Sequence, residues 1–196
     1  MKDHKVFDVI YGEEAARIER EQPERIMGCR YVRDWRRAEE HEPGKTVWFD
    51  GKLWRPKSRL AVQGHQDPDL NEKAESGRLT SPTVQQQTIQ VGLQTAATKD
   101  MDVEIVDIKV AFLNSYEYGP DVNPVYCRPP PNTPGLPEGA LLRVRKPSYR
   151  FNDAPEQWRQ RLDSELKKLD LTPLRMDACA YKFCEEIQGE MVVSVA

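Results

Sequence analysis

Hydrophobic and polar positions change period several times along the chain, and each change marks an element. Residues 12–22, rich in Glu and Arg, read as a solvated helix closed by Pro23. From Ile26 to Arg36 apolar and basic residues alternate, the pattern of a strand. Residues 39–45 read as a loop, and TVWFDGKLW (46–54) as a hairpin turning at Asp50-Gly51. PKSRLAVQG (56–64) is a further strand ended by Gly64, and 65–78 is polar and irregular. Ser81 as N-cap with Pro82 at the first helical position predicts a helix that ends near Lys99. Its apolar face is Ile89, Leu93, Ala96 and Ala97. VEIVDI (103–108) reads as a buried strand with one acid inside it.

Residues 114–124 and 129–140 are loops, with short strands at 125–128 and 141–146. A second helix covers 154–169, with Trp158, Leu162, Leu166 and Leu169 along one side, and Asn152 or Asp153 ahead of Ala154-Pro155 starts it. Residues 180–195 form a hairpin turning at Gln188-Gly189. Strands and helices mix without regular βα alternation, so the class is α+β.

Composition narrows the function classes. Counted with glycine and without tyrosine, apolar residues make up about 40% of the 196, below the usual ~45–50%, so the core is lean for this length. No apolar run approaches the ~20 residues of a membrane span, and the first residues carry no secretory apolar stretch. Cys29, Cys127, Cys179 and Cys184 form no CxxC pair and fit a reducing compartment. With only three histidines, a zinc site is not expected. The net charge of −3 conceals an alternation: residues 51–64 carry +4, 99–122 carry −4, and 141–168 carry +4. Each block alone fits a solvated surface. Together they also fit a site that holds divalent cations at its centre and polyphosphate or nucleic acid around them.

Three places could carry chemistry. Asp107 lies within a run of Val103, Ile105, Val106, Ile108, Val110 and Ala111, where a carboxylate is costly unless paired or cation-bound. It is either a strand-end acid, solvated or paired with Lys109, or a ligand for a hard metal. SYRFNDAPEQWRQRL (148–162) is a cap and amphipathic helix, with Arg143, Arg145, Lys146 and Arg150 upstream that could face phosphate. In RPKSRLAVQG, Lys57 and Arg59 share one strand face. That is either a solvated edge or a contact to triphosphate or template phosphate. No Gly-rich phosphate cradle and no hydrolase triad is present.

Five segments in order resemble the reverse transcriptase domain of copia-type retrotransposons: PKSRLAVQGHQDPDL, the stretch from LTSPTVQQQ to IVDIKVAFLNS, NPVYCRPPPNTPG, RVRKPSYRFNDAPEQWRQRL and MDACAYKF. The likeness covers roughly the last 170 residues. It implies the fingers and partial palm of a right-hand polymerase, an antiparallel sheet with packed helices. Residues 1–25 are then a helical or tether segment, 26–80 fingers-like strands and loop, and 81–196 a partial palm. The implied activity is RNA-directed DNA polymerisation by two-metal nucleotidyl transfer with Mg²⁺. The implied partners are RNA template, DNA primer and deoxynucleoside triphosphates, with no membrane.

Residue by residue, Asp107 sits where the family keeps its first catalytic aspartate, with the Ile108 carbonyl as a second metal oxygen. Phe112 matches the aromatic under the incoming sugar, Asp153 lies in the nucleotide-supporting motif, and Lys57 and Arg59 match basic residues that contact triphosphate or template. The sequence departs from the family at Arg150, in place of a preferred glycine, at Asp153, in place of glutamine, and at Ser115, in place of glycine. The family's Y-x-D-D turn would follow Ala196, so the chain is expected to be cut before it, to need another polypeptide to complete the palm, and to be inactive alone. A non-catalytic remnant that binds nucleic acid or protein is the alternative. The resemblance places the chain in the cytoplasm, a virus-like particle or the nucleus.

Overall fold

Asp50-Gly51 makes the hairpin turn that its chemistry demands: φ is 50° at Asp50 and 65° at Gly51, the left-handed pair of a two-residue turn. It joins β3 (Val47–Phe49) to β4 (Lys52–Val62). The computed structural model describes residues 5–38, 45–183 and 191–193. The hairpin's second strand and the strand expected at 56–64 are one continuous element. Pro56 interrupts nothing, because β3 has already ended there and one side of β4 is open, so a missing N–H can be tolerated. Most of the loop expected at 39–45 lies outside the described residues.

The described chain falls into two compact units, one of residues up to 70 plus 119–151 and one of 71–118 plus 152 onward. The first unit is a six-stranded sheet in the order β1-β6-β5-β2-β4-β3, with β1 at Phe7–Ile10, β2 at Ile26–Arg37, β5 at Tyr126–Arg128 and β6 at Leu141–Val144. All neighbours are antiparallel except β2 and β5. β1 is an addition to the sequence reading: its apolar run is too short to stand out, and its partner β6 is far along the chain.

Helix α1 (Glu13–Glu21) forms where expected, but Ala15 and Ile18 are buried against Ile10, Tyr126 and Leu141, so it is packed on one face rather than solvated all round. Arg25 then ties the sheet's approach together. Its guanidinium donates to both Asp69 oxygens at 2.6 and 2.8 Å and to the carbonyls of Pro124 and Asn123 at 3.0 and 2.9 Å. Gly28 admits a close approach: a Cβ there would stand 2.9 Å from the Gln63 side chain.

In the second unit, α3 spans Gln86–Thr98, α4 Ala154–Lys168, and β7 (Leu171–Pro173), β8 (Ala180–Phe183) and β9 (Met191–Val193) make an antiparallel sheet. The 65–78 stretch, expected to be irregular, contains the short helix α2 (Leu70–Glu75). The expected turn at Gln188-Gly189 lies outside the described residues, while the two strands it would join are paired.

The start of α3 differs from the sequence reading by four residues, and Asp177 is the cause. Its carboxylate accepts the Gln85 N–H at 2.8 Å and the Cys179 N–H at 3.0 Å, and Thr88 adds a side-chain hydrogen bond. Residues 81–85 are thereby held without helical structure, with Val84 packed on Cys179 and Ala180. The helix receives its N-terminal acceptor from a remote carboxylate instead of Ser81, whose Oγ is buried without a partner.

A larger difference concerns 103–108. No strand forms there, and the side chains stand in water: Ile105 is 96% exposed and Val106 80%. Apolar residues of that composition form a buried strand only when neighbouring strands are present, and none of the described strands pairs with them. The apolar face expected on α3 is covered only in part: Ile89 packs on Val84, Cys179 and Ala180, while Leu93 and Ala97 are exposed. No described helix is long and apolar enough to cross a membrane.

Candidate nucleic-acid interface

The long antiparallel pairing of β2 with β4 sorts side chains onto two faces, because the pleat alternates residue by residue. Register sets Val32 opposite Arg59, Asp34 opposite Lys57, Arg36 opposite Arg55 and Arg30 opposite Ala61. One face therefore gathers Arg30, Arg36, Arg55, Lys57 and Arg59 against one acid, Asp34. Lys57 and Arg59 are both exposed and share that face, as the period-2 reading expects. The Arg59 guanidinium stands 5.7 Å over the Tyr149 ring, and the Tyr149 carbonyl accepts the Val62 N–H at 3.2 Å. That cation–π contact restrains a long side chain without neutralising it.

The opposite face begins in the core with Cys29, Leu60 and Val62 and ends with the exposed Trp35, Val47 and Phe49 and the half-buried Trp54. These last four line an open apolar cleft of about 400 Å³. Sequence reading missed them as a group. The signal was available: a hairpin, TVWFDGKLW, with three aromatics in nine residues, in a chain with too lean a core to cover them.

The other sequence-selected residues lie in the second unit. Asp107 and Ile108 belong to the exposed 103–108 stretch, so the Asp107 carboxylate is not buried among apolar residues and carries no burial penalty that would demand a partner or a cation. Val110 follows at φ 53°, a left-handed conformation that a β-branched residue adopts only under constraint. Phe112 is half-buried in a 3-10 turn, Ala111–Asn114, where Leu113 is fully buried. Beyond it the chain is stitched to α4. The Tyr116 hydroxyl donates to Ser164 Oγ at 3.0 Å, and Arg161 stacks 4.4 Å over the Tyr116 ring.

Asp153 stands at the N-cap position of α4, but its side chain does not cap the helix. It is 2% exposed, accepts the Tyr118 hydroxyl at 2.9 Å, and pairs at 3.4 Å with Lys73 of α2, itself 5% exposed. Nearby on α4, the Arg159 guanidinium hydrogen-bonded to Glu156 holds that carboxyl below its ordinary range, outweighing partial burial. The structure thus gathers Lys57 and Arg59 on one face, keeps Asp107, Ile108 and Phe112 along one segment, and takes Asp153 into a buried cluster.

Among the described residues, no group of three or more His, Cys, Asp or Glu side chains could hold a metal ion. Asp107 and the Ile108 carbonyl are hard oxygen donors of the type Mg²⁺ takes. Without a cluster of further carboxylates they do not fit a two-metal centre.

The β2–β4 pairing thus presents a cationic face, and Asp107 lies in an exposed stretch with Asp100, Asp102 and Glu104. A profile described as "Reverse transcriptase (RNA-dependent DNA polymerase)" matches residues 45–195, more than three quarters of the chain. The chain belongs to that family. It is also 29% identical over 133 residues to the Retrovirus-related Pol polyprotein from transposon TNT 1-94 of Nicotiana tabacum, a match covering 67% of this chain and 10% of that protein. The match spans about a tenth of that relative's length. No solved structure matches the chain significantly.

Proposed function

We propose that the chain supplies the fingers and first part of the palm of a copia-type RNA-directed DNA polymerase, and that its own contribution is to bind nucleic acid and nucleotide. In this reading residues 26–80 act as fingers and 81–196 as partial palm, a division by role that is separate from the compact units. The observation that carries it is the cationic face of β2 and β4, five basic residues to one acid, inside a chain of this family. Lys57 and Arg59 contact template or triphosphate there. Phe112 backs the sugar of the incoming nucleotide, and Asp107 with the Ile108 carbonyl presents oxygen ligands toward its phosphates' cation. Asp153 contributes by fixing Tyr118, six residues beyond Phe112. The Lewis acidity that Mg²⁺ supplies in nucleotidyl transfer would require carboxylates in addition to Asp107.

Binding is measured by anisotropy of a labelled RNA between about 50 and 200 mM salt, a range over which phosphate contacts weaken steeply. Lys57→Ala with Arg59→Ala is expected to make the slope of log K against log salt shallower by roughly 1.4, two single-strand phosphate contacts. An unchanged affinity and slope would sink the role given to this face. Primer extension on an RNA template with Mg²⁺ is expected not to exceed an Asp107→Ala control. Extension clearly above that control would show that the chain carries a working polymerase centre.

A further inference from the structure

We propose that the outer end of the β2–β4–β3 sheet, on the face opposite Lys57 and Arg59, is a base-stacking platform for single-stranded nucleic acid. This rests on the nucleic-acid reading above and extends it to a second surface with a different chemistry.

Four observations on one face support it. Trp35, Phe49 and Val47 are more than half exposed, Phe49 at 73%, and with Trp54 they form a contiguous apolar cleft on a hairpin end. Register places all four on the same side: Trp54 lies opposite Val47 and Arg37, and Phe49 opposite Lys52. The rings are preorganised, since the Trp54 indole N–H donates to the Phe49 carbonyl at 3.2 Å across the turn. Among the described residues, the charged side chains of β2, β3 and β4 sharing that face at this end are Arg33, Arg37 and Lys52, all exposed, with no acid among them. Arg33 lies 5.4 Å over the Tyr31 ring, which extends the aromatic row inward.

An apolar partner would cover the rings but leave three cations facing it. An acidic protein would pair the cations but offer little to flat aromatic faces. A single strand of nucleic acid offers both, because every base has a π-face and every linkage a negative charge. Exposed aromatics beside arginine and lysine are the combination such strands bind. The other face of the same strands carries more cations and, at this end, one exposed aromatic, Trp48, so the aromatic cluster of Trp35, Phe49 and Trp54 is the surface better suited to stacking bases.

The test uses the full chain and two probes of equal charge, a 12-nucleotide oligo(dT) and a 12-unit strand of the same backbone without bases. Wild type is expected to bind oligo(dT) about tenfold or more tighter than the abasic strand, with tryptophan fluorescence quenched only by the former. Trp35→Ala with Phe49→Ala should lose about tenfold for oligo(dT), leave abasic binding and the salt slope unchanged, and retain the wild-type circular dichroism. Trp35→Phe with Phe49→Tyr should restore most of the loss.

If the alanine pair binds oligo(dT) as wild type does, while wild type still shows salt-dependent binding, the platform is refuted and the nucleic-acid reading stands. If wild type binds neither probe at low salt, both readings fail. If the alanine pair alters only the oligomeric state, the cleft is a protein contact and the platform is again refuted.

Discussion

Arg150 tests how far one side chain opposes its own backbone. It sits in the turn Ser148–Phe151, closed by the Phe151 N–H on the Ser148 carbonyl at 3.0 Å, at the position where a positive φ calls for glycine. Its φ is 67°. The turn cannot relax, because Ser148 and Phe151 are buried on either side and the Tyr149 carbonyl holds the end of β4. A side chain with a Cβ costs about 1–2 kcal/mol in that conformation. Glycine removes this but adds about 0.5–1 kcal/mol of unfolded-state freedom. Arg150→Gly should therefore stabilise the first unit by about 0.5–1 kcal/mol, or raise its melting temperature by roughly 2–8 °C. Arg150→Ala keeps the Cβ and should stay within about 0.5 kcal/mol of wild type. Urea denaturation of the three proteins, at constant m value, reads the order directly. If the glycine variant is no more stable than the alanine variant, the turn stores no strain from the side chain.

Asp153→Ala removes the acceptor of the Tyr118 hydroxyl and the ionic partner of buried Lys73, and should cost about 3 kcal/mol in urea denaturation, with Lys73→Met recovering part of the loss in the double variant. Asp177 is held below the ordinary carboxyl range, first by the Gln85 N–H and then by Thr88 and Cys179. A lowered folded-state pKa contributes stability that is complete above the unfolded value near 4 and is lost as pH falls through the folded value. The urea midpoint gap between wild type and Asp177→Asn should thus narrow steadily as pH drops below about 4; a constant gap would contradict it. Ile105→Ser with Val106→Ser should leave stability within about 0.5 kcal/mol, because both side chains already face water. A loss of several kcal/mol in the same measurement would mean that these residues are buried.

What could be read in advance was what is local. Asp50-Gly51, the alternation along β2 and β4, and the 3.6-residue period of α4 each depend on neighbours in sequence, and each has its expected form. The shared face of Lys57 and Arg59 follows from the same period. What failed depended on distant partners. The start of α3 is set by Asp177, 92 residues beyond Gln85, and β1 exists because β6 pairs with it. Residues 103–108 look like a core strand in composition, yet composition cannot supply the strands on either side. For Asp153, the fragment Asn-Asp-Ala-Pro announced a helix start and the structure has one, but the carboxylate's commitment to Lys73 and Tyr118 has no local sign.

The parallel junction of β2 with β5 and the pairing of β1 with β6 carry a consequence for synthesis. Ile10 meets Leu141 and Ile26 meets Tyr126, so the first sheet cannot close until about 130 further residues have been made. At about 5–20 residues per second, the opening strands wait roughly 7–26 s for their partners. The intervening residues 71–118 belong to the other unit and emerge first. During that interval β2 can pair with β4, which follows it closely, while β1 and the start of β2 stay open to any other extended chain nearby. Dense co-translation of many copies from one message would place such chains side by side, making nascent-chain spacing a determinant of yield for this protein.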